Sequence, residues 1–225
     1  MRRMTSVRIE TIGTEAQPLV ILDDFAPDPD RLRSFAQAAD FTPALNHFPG
    51  VRAALPAAYL ATQLPIIAAA AKAFGRTGPI TVVDASFSIV STPAPDLTIP
   101  QRLPHIDAFT EDRIALVHYL SPEDGDGTAF FRHRSTGFET VDEMRRDLFF
   151  RHLDIEIRHG GVPPPEYVLG DTPLFECICT KPARYNRALL YRSWNLHSGA
   201  ISPDNALPAD PGAGRLTVTG FLSIG

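Results

Sequence analysis

The sequence predicts a mainly β protein with some α: a double-stranded β-helix, or jelly roll, with an N-terminal helical buttress and one inserted helix. Three observations predict it. Helical patterns dominate the first third of the chain, strand-like runs follow from Ile80 to Ile224 and bring the total to about eight, and one helical pattern interrupts those strands. At 225 residues, 44% of them apolar, the chain is read as a single domain, residues 1–225. Residues 1–79 support the core. Residues 80–225 form it, with an insertion at about 138–170.

The first elements are two short strands, Val7 to Ile12 and Pro18 to Leu22, then an Asp23-Asp24-Phe25 turn. Asp28 or Asp30 can cap a helix to about Ala39 with Leu32, Phe35 and Ala36 on one face. Leu55 to Phe74 reads as a second helical region, kinked or divided at Pro65 and stopped by Gly75. Strands follow at Thr81 to Ser91, Ile114 to Leu120 (apolar enough to be buried on both faces) and Thr128 to His133. Thr140-Val141-Asp142-Glu143 has capping-box spacing and starts a helix to about Arg158, with Met144, Leu148, Phe149 and Leu153 inward. This helix is either a lid or a cover for a sheet edge. The last strands are Leu174 to Thr180, Ala188 to Arg192 and Leu216 to Ile224.

Composition excludes several classes of function. A net charge of −5 and a pI of about 5.8 argue against a nucleic-acid coat, which needs a basic face. No apolar run is long and uninterrupted enough to span a bilayer. Arg2 and Arg3 are not followed by the apolar core of a signal peptide. Cys177 and Cys179, two apart on one strand, would share a face and are poorly placed to bridge. Reduced cysteines and no export signal make the cytoplasm the expected compartment.

His105-Ile106-Asp107 and the distant His197 carry the chemistry. In extended backbone His105 and Asp107 leave the same face, so an imidazole nitrogen and a carboxylate oxygen can share one metal. Two histidines and a carboxylate are the set that holds non-haem iron(II) facially with open positions, and the absence of thiolates speaks against a structural zinc site. Alone, an H-x-D pair arises easily by chance, and the alternative is a loop-surface pair. Arg215 opens the last strand, eighteen residues after His197, and shares a face with Thr217 and Thr219. Three polar residues on one face of a core strand are unusual for packing alone.

Around these residues lie Val117-His118-Tyr119-Leu120, Asp126-Gly127-Thr128, Arg187-Ala188-Leu189-Leu190-Tyr191, His197-Ser198-Gly199 and the run Arg215 to Leu222. In that order, over about two thirds of the chain, they resemble the iron(II)- and 2-oxoglutarate-dependent dioxygenases, with a prolyl-hydroxylase-like motif order and a bacterial subfamily as the nearest cast. Leu22-Asp23-Asp24-Phe25 before a helix is also usual there. The resemblance implies that His105, Asp107 and His197 bind iron(II), that Arg215 anchors the distal carboxylate of 2-oxoglutarate, and that Thr219 and Tyr119 assist it. It implies hydroxylation of a C–H bond using O2, with release of succinate and CO2. Asp107 fills the ligand position a halide would need, which favours hydroxylation over halogenation. Two other readings stay open: a non-catalytic jelly roll that binds metal and ligand, and a cupin-like metalloenzyme without 2-oxoglutarate. The substrate is expected to be a small molecule or peptide, with no nucleic acid and no membrane involved. Arg102, Arg132, Arg134 and Arg192, with Trp194, could form a rim for an anionic substrate or be ordinary solvated side chains. The segment from His197 to Arg215 reads as a loop beside the site.

Overall fold

The computed structural model describes residues 4–45 and 47–225. The reading of Met1, Arg2 and Arg3 falls outside them. Among the described residues no helix is long and apolar enough to cross a membrane.

The fold is a mainly β jelly roll of two facing antiparallel sheets. In chain order the strands are β1 (Ser6–Ile12), β2 (Gln17–Asp23), β3 (Thr42–Pro43), β4 (Gly50–Ala54), β5 (Ile80–Val90), β6 (Arg113–Tyr119), β7 (Gly125–His133), β8 (Phe175–Ala183), β9 (Ala188–Arg192), β10 (His197–Gly199) and β11 (Arg215–Ile224). The major sheet runs β1-β2-β9-β6-β11-β5-β4-β3, and the minor sheet β10-β7-β8. The minor sheet is extended by a bridge between His105 and His197, whose backbones exchange hydrogen bonds of 2.8 and 2.9 Å.

Period-two alternation sorts the major sheet's side chains. Leu216, Val218, Leu222 and Ile224 of β11 join Phe87, Ile89, Ile114, Leu116 and Leu190 in a core under the two N-terminal helices, α1 (Pro29–Gln37) and α2 (Ala58–Ala71). The alternate positions of β11, Arg215, Thr217, Thr219 and Phe221, line a cavity between the sheets. Ala115, Tyr119, Phe130, Leu189 and Tyr191 pack beside that cavity as a second core.

Asp28 caps α1 by accepting from the Arg31 amide at 3.0 Å. Leu32 and Ala36 are buried, but Phe35 is 45% exposed beneath the Arg31 guanidinium, which corrects the three-residue face read from the sequence. Pro65 does not divide α2, which runs unbroken to Ala71 and ends through a tight turn at Gly75 with φ 71°. The inserted helix is α3 (Arg146–Gly160), not a helix from Thr140. Thr140 is held in a bridge to Asn195, and Asp142 caps the following turn instead. Phe149 and Leu153 pack on Ala129, Phe131 and Phe175, the outward face of the minor sheet. Met144 and Leu148 are exposed. The helix therefore covers the outer face of that sheet.

Cys177 and Cys179 are free, but they do not share a face. A bulge between Phe130 and Phe131 sets Cys177 against the outer core and Cys179 against the inner one.

His118 illustrates how polar groups are buried here. It is fully buried on the helical side, its Nδ1 2.8 Å from the Tyr59 hydroxyl and its Nε2 3.0 Å from Asn186 Oδ1. Asn186 is fixed as an acceptor at that oxygen, because Oδ1 also accepts from the Ala26 amide while Nδ2 donates to the Ala26 carbonyl. So Nε2 carries the His118 proton and Nδ1 accepts from Tyr59. Burial lowers His118 to about 4. In the unfolded chain the ring takes up a proton below its ordinary pKa of about 6.5, whereas the folded ring stays neutral down to about 4. The protein is expected to lose stability as pH falls through that window, by up to about 3 kcal/mol from this residue. Urea midpoints at pH 7 and pH 5 check it: the drop should shrink in His118→Gln, which does not titrate.

Candidate metal centre

His105 and His197 face each other across the bridge that joins their backbones, and Asp107 is held beside them by its amide donating to the Ser193 carbonyl at 2.8 Å. Asp107 Oδ1 lies 3.7 Å from His105 Nε2, and Oδ2 lies 3.4 Å from His197 Nε2. One ligand atom from each of the three falls within 4.8 Å of the others. The imidazole rings are 4.3 Å apart between centroids. His197 Nδ1 donates to the Asn195 carbonyl at 2.9 Å, so its Nε2 lone pair is left for a metal. Tyr191 and Phe130 pack against the same ring at 4.8 and 6.5 Å and fix its plane.

The electrostatics call for a cation. Enclosure by the cavity walls, helped by the His197 ring, depresses His105 to about 4, although about half of its side chain, 52%, is open to the cavity. Burial depresses His197 to about 4 as well. Both imidazoles are neutral at pH 7, the form that donates to a metal. Burial raises Asp107 to about 6, against the pull of His105 and Arg52. Among the described residues no Lys or Arg forms an ion pair with it, and a buried carboxylate without a cation is costly. Two neutral imidazoles and one unmatched carboxylate fit a divalent metal of nitrogen and oxygen preference.

The cavity beside these residues has a volume of about 520 Å³. Arg215 lines it and has no carboxylate partner among the described residues. Its Nη2 donates to the Gly127 carbonyl at 2.8 Å, its Nε to the Asp126 carbonyl at 3.3 Å, and its guanidinium lies 5.6 Å over the Tyr119 ring. Gly127 is required where it stands: a Cβ there would sit 1.7 Å from the Lys181 carbonyl. Thr217 and Thr219 line the same wall, with hydroxyls bonded to the Ser88 carbonyl and the Ser88 hydroxyl.

Tyr119 is placed differently from its expected position. It is fully buried, and its hydroxyl is spent on Thr128 Oγ1 at 2.7 Å; Thr128, not Tyr119, lines the cavity. The expected arginine rim is also absent from the cavity. Arg102 donates to the Leu97 and Pro163 carbonyls, Arg132 pairs with Glu139 and Glu176, Arg134 with Asp171, and Arg192 reaches the Phe74 and Glu111 carbonyls over the Trp194 ring. Trp194 itself points to Gln17.

Tyr191, Tyr167 and Arg52 are among the cavity residues that the sequence reading missed. Tyr191 had a usable signal, since alternation with Leu189 on β9 turns it inward. Tyr167 comes from an irregular segment and donates to the Thr92 carbonyl, and burial raises it to about 12. Arg52 lies on β4, a strand of five residues with no strong pattern, and nothing local marked it.

Residues 3–222 match a family of unknown function, DUF6445. The chain belongs to that family. No curated protein matches it. Among solved structures, the chain is similar to HygX from Streptomyces hygroscopicus, solved with nickel and 2-oxoglutarate bound, at 13% identity and a TM-score of 0.48, over 93% of this chain and 84% of that one. It is also similar to EvdMO1, at 14% identity and a TM-score of 0.42, over 97% of this chain and 55% of that one, so this DUF6445 member spans little more than half of EvdMO1.

Proposed function

We propose that this protein is an iron(II)- and 2-oxoglutarate-dependent dioxygenase that hydroxylates a C–H bond. The observation that carries the reading is that one cavity holds both the His105–Asp107–His197 set and Arg215, a guanidinium that among the described residues donates only to carbonyl groups. A dicarboxylate whose keto-acid end chelates the metal needs a fixed cation for its far carboxylate, and a guanidinium offers a two-bonded fit.

His105, Asp107 and His197 would hold iron(II). When bound, the iron supplies the redox chemistry that couples decarboxylation of 2-oxoglutarate to insertion of one oxygen atom of O2 into the substrate. The balance is R–H + O2 + 2-oxoglutarate giving R–OH, succinate and CO2. The chain's own contributions are positional. Asn195 fixes the His197 tautomer, Tyr191 and Phe130 fix its ring plane, and the Asp126 and Gly127 carbonyls aim Arg215. Tyr119 acts through Thr128: it orients a hydroxyl of the cavity wall. Thr219 braces the wall through Ser88.

The test is an anaerobic titration of metal-free protein with iron(II) and then 2-oxoglutarate, read by the visible charge-transfer absorption of the chelate. A band, followed by succinate on admitting O2, is the expected result. Bound iron with no band and no succinate would favour a cupin-like metalloenzyme or a binding module.

A further inference from the structure

Arg52 has no part in holding the metal or the cosubstrate, yet it lies in the same cavity wall. Across the major sheet Arg52 pairs with Ser88, Ser88 with Thr217, and Thr217 with Tyr119, so Arg52 occupies the inward row two strands from Thr217. Its Nε is buried with no hydrogen-bond acceptor. Among the described residues its ion-pair partner is Asp84, 3.7 Å from Nη1 and 56% exposed, and the Asp107 carboxylate also acts on its charge. Phe48 stacks on the guanidinium at 4.7 Å and holds it in plane. Phe48, Pro49, Leu103, Ile106 and Phe221 give the same cavity an apolar share of its wall.

A cavity of about 520 Å³ leaves room for a second small molecule beside the cosubstrate. Nε is closed off by its own packing, so Arg52 meets the cavity through its terminal Nη groups, which can donate to a carboxylate; Asp84, 3.7 Å from Nη1 and largely exposed, does not use up both. The neighbouring Asp84 carboxylate would repel a phosphate dianion more than a singly charged group. We infer that Arg52 is a specificity-determining residue that receives the carboxylate of the prime substrate, a small carboxylic acid with an apolar body. The inference deepens the proposed function and rests on its assignment of Arg215 to 2-oxoglutarate.

The probes are benzoate and 3-phenylpropionate against benzamide and 3-phenylpropanamide, titrated anaerobically into protein holding iron(II) and saturating 2-oxoglutarate and followed by ligand-observed NMR. The acids should bind about 10- to 100-fold tighter than the amides, the ratio expected for a charge-assisted bond. Arg52→Gln should erase that preference, and Arg52→Lys should keep part of it. If Arg52→Gln does not fold, the Nε–H resonance of Arg52 in wild-type protein decides, by shifting with benzoate and not with benzamide. Equal binding of acids and amides, no binding of either, or a preference that survives Arg52→Gln would overturn the inference. The two proposals fail separately. A normal 2-oxoglutarate band without acid preference sinks only the Arg52 assignment. No band, with a preference that still follows Arg52 in the metal-free protein, sinks only the oxygenase reading.

Discussion

His197→Ala is expected to abolish iron(II) binding and with it all succinate formation. His197 is the most buried imidazole of the set, its tautomer fixed by Asn195 and its ring by Tyr191 and Phe130. Losing an outer partner of a ligating histidine already costs about 10- to 100-fold in metal affinity, and losing the ligand itself should exceed that range. The measurement is iron(II) affinity by anaerobic titration, with circular dichroism to establish that the variant folds. Asp107→Asn is the companion: it keeps the shape of the side chain and removes the only carboxylate, so affinity should fall comparably with little effect on folding. A folded His197→Ala protein that binds iron as tightly as wild type would remove the metal assignment.

Arg215→Leu should separate the two halves of the proposal. Iron(II) affinity should hold, because Arg215 touches none of the three ligands. Affinity for 2-oxoglutarate should fall by about 2–5 kcal/mol, thirtyfold or more, the cost of leaving one buried charge without its partner. The leucine also gives up the bonds to Asp126 and Gly127, so Arg215→Lys, which retains the charge, should recover part of the loss. The readout is the 2-oxoglutarate concentration that half-develops the charge-transfer band. An unchanged midpoint in Arg215→Leu would move the cosubstrate anchor elsewhere, and Arg52 would be the next residue to test.

Much of the fold was legible because alternation is local. In Arg215-Leu216-Thr217-Val218-Thr219 the polar and apolar residues take turns, and the strand can present the polar set to only one side. The apolar run Ile114 to Leu120 demanded burial on both faces and received it, from the helices on one side and the cavity on the other. His105 and Asp107 are close in sequence, so their proximity in space required only extended backbone. Two faces of a strand, however, do not say what lies opposite them.

The sequence by itself determined the strand-rich class, the side on which Arg215, Thr217 and Thr219 lie, and the chemistry available from His105, Asp107 and His197. Tertiary structure alone decided who meets whom. It turned the Tyr119 hydroxyl to Thr128, tied the four expected rim arginines to carbonyls and carboxylates away from the cavity, and brought Arg52 into the wall from an edge strand. It also split Cys177 from Cys179 by one bulge, and set α3 on the outer face of the minor sheet. The physical reason is the same in each case. Periodicity fixes the direction of a side chain relative to its own strand, whereas its partner is set by register, bulges and sheet order, which join residues far apart in the chain.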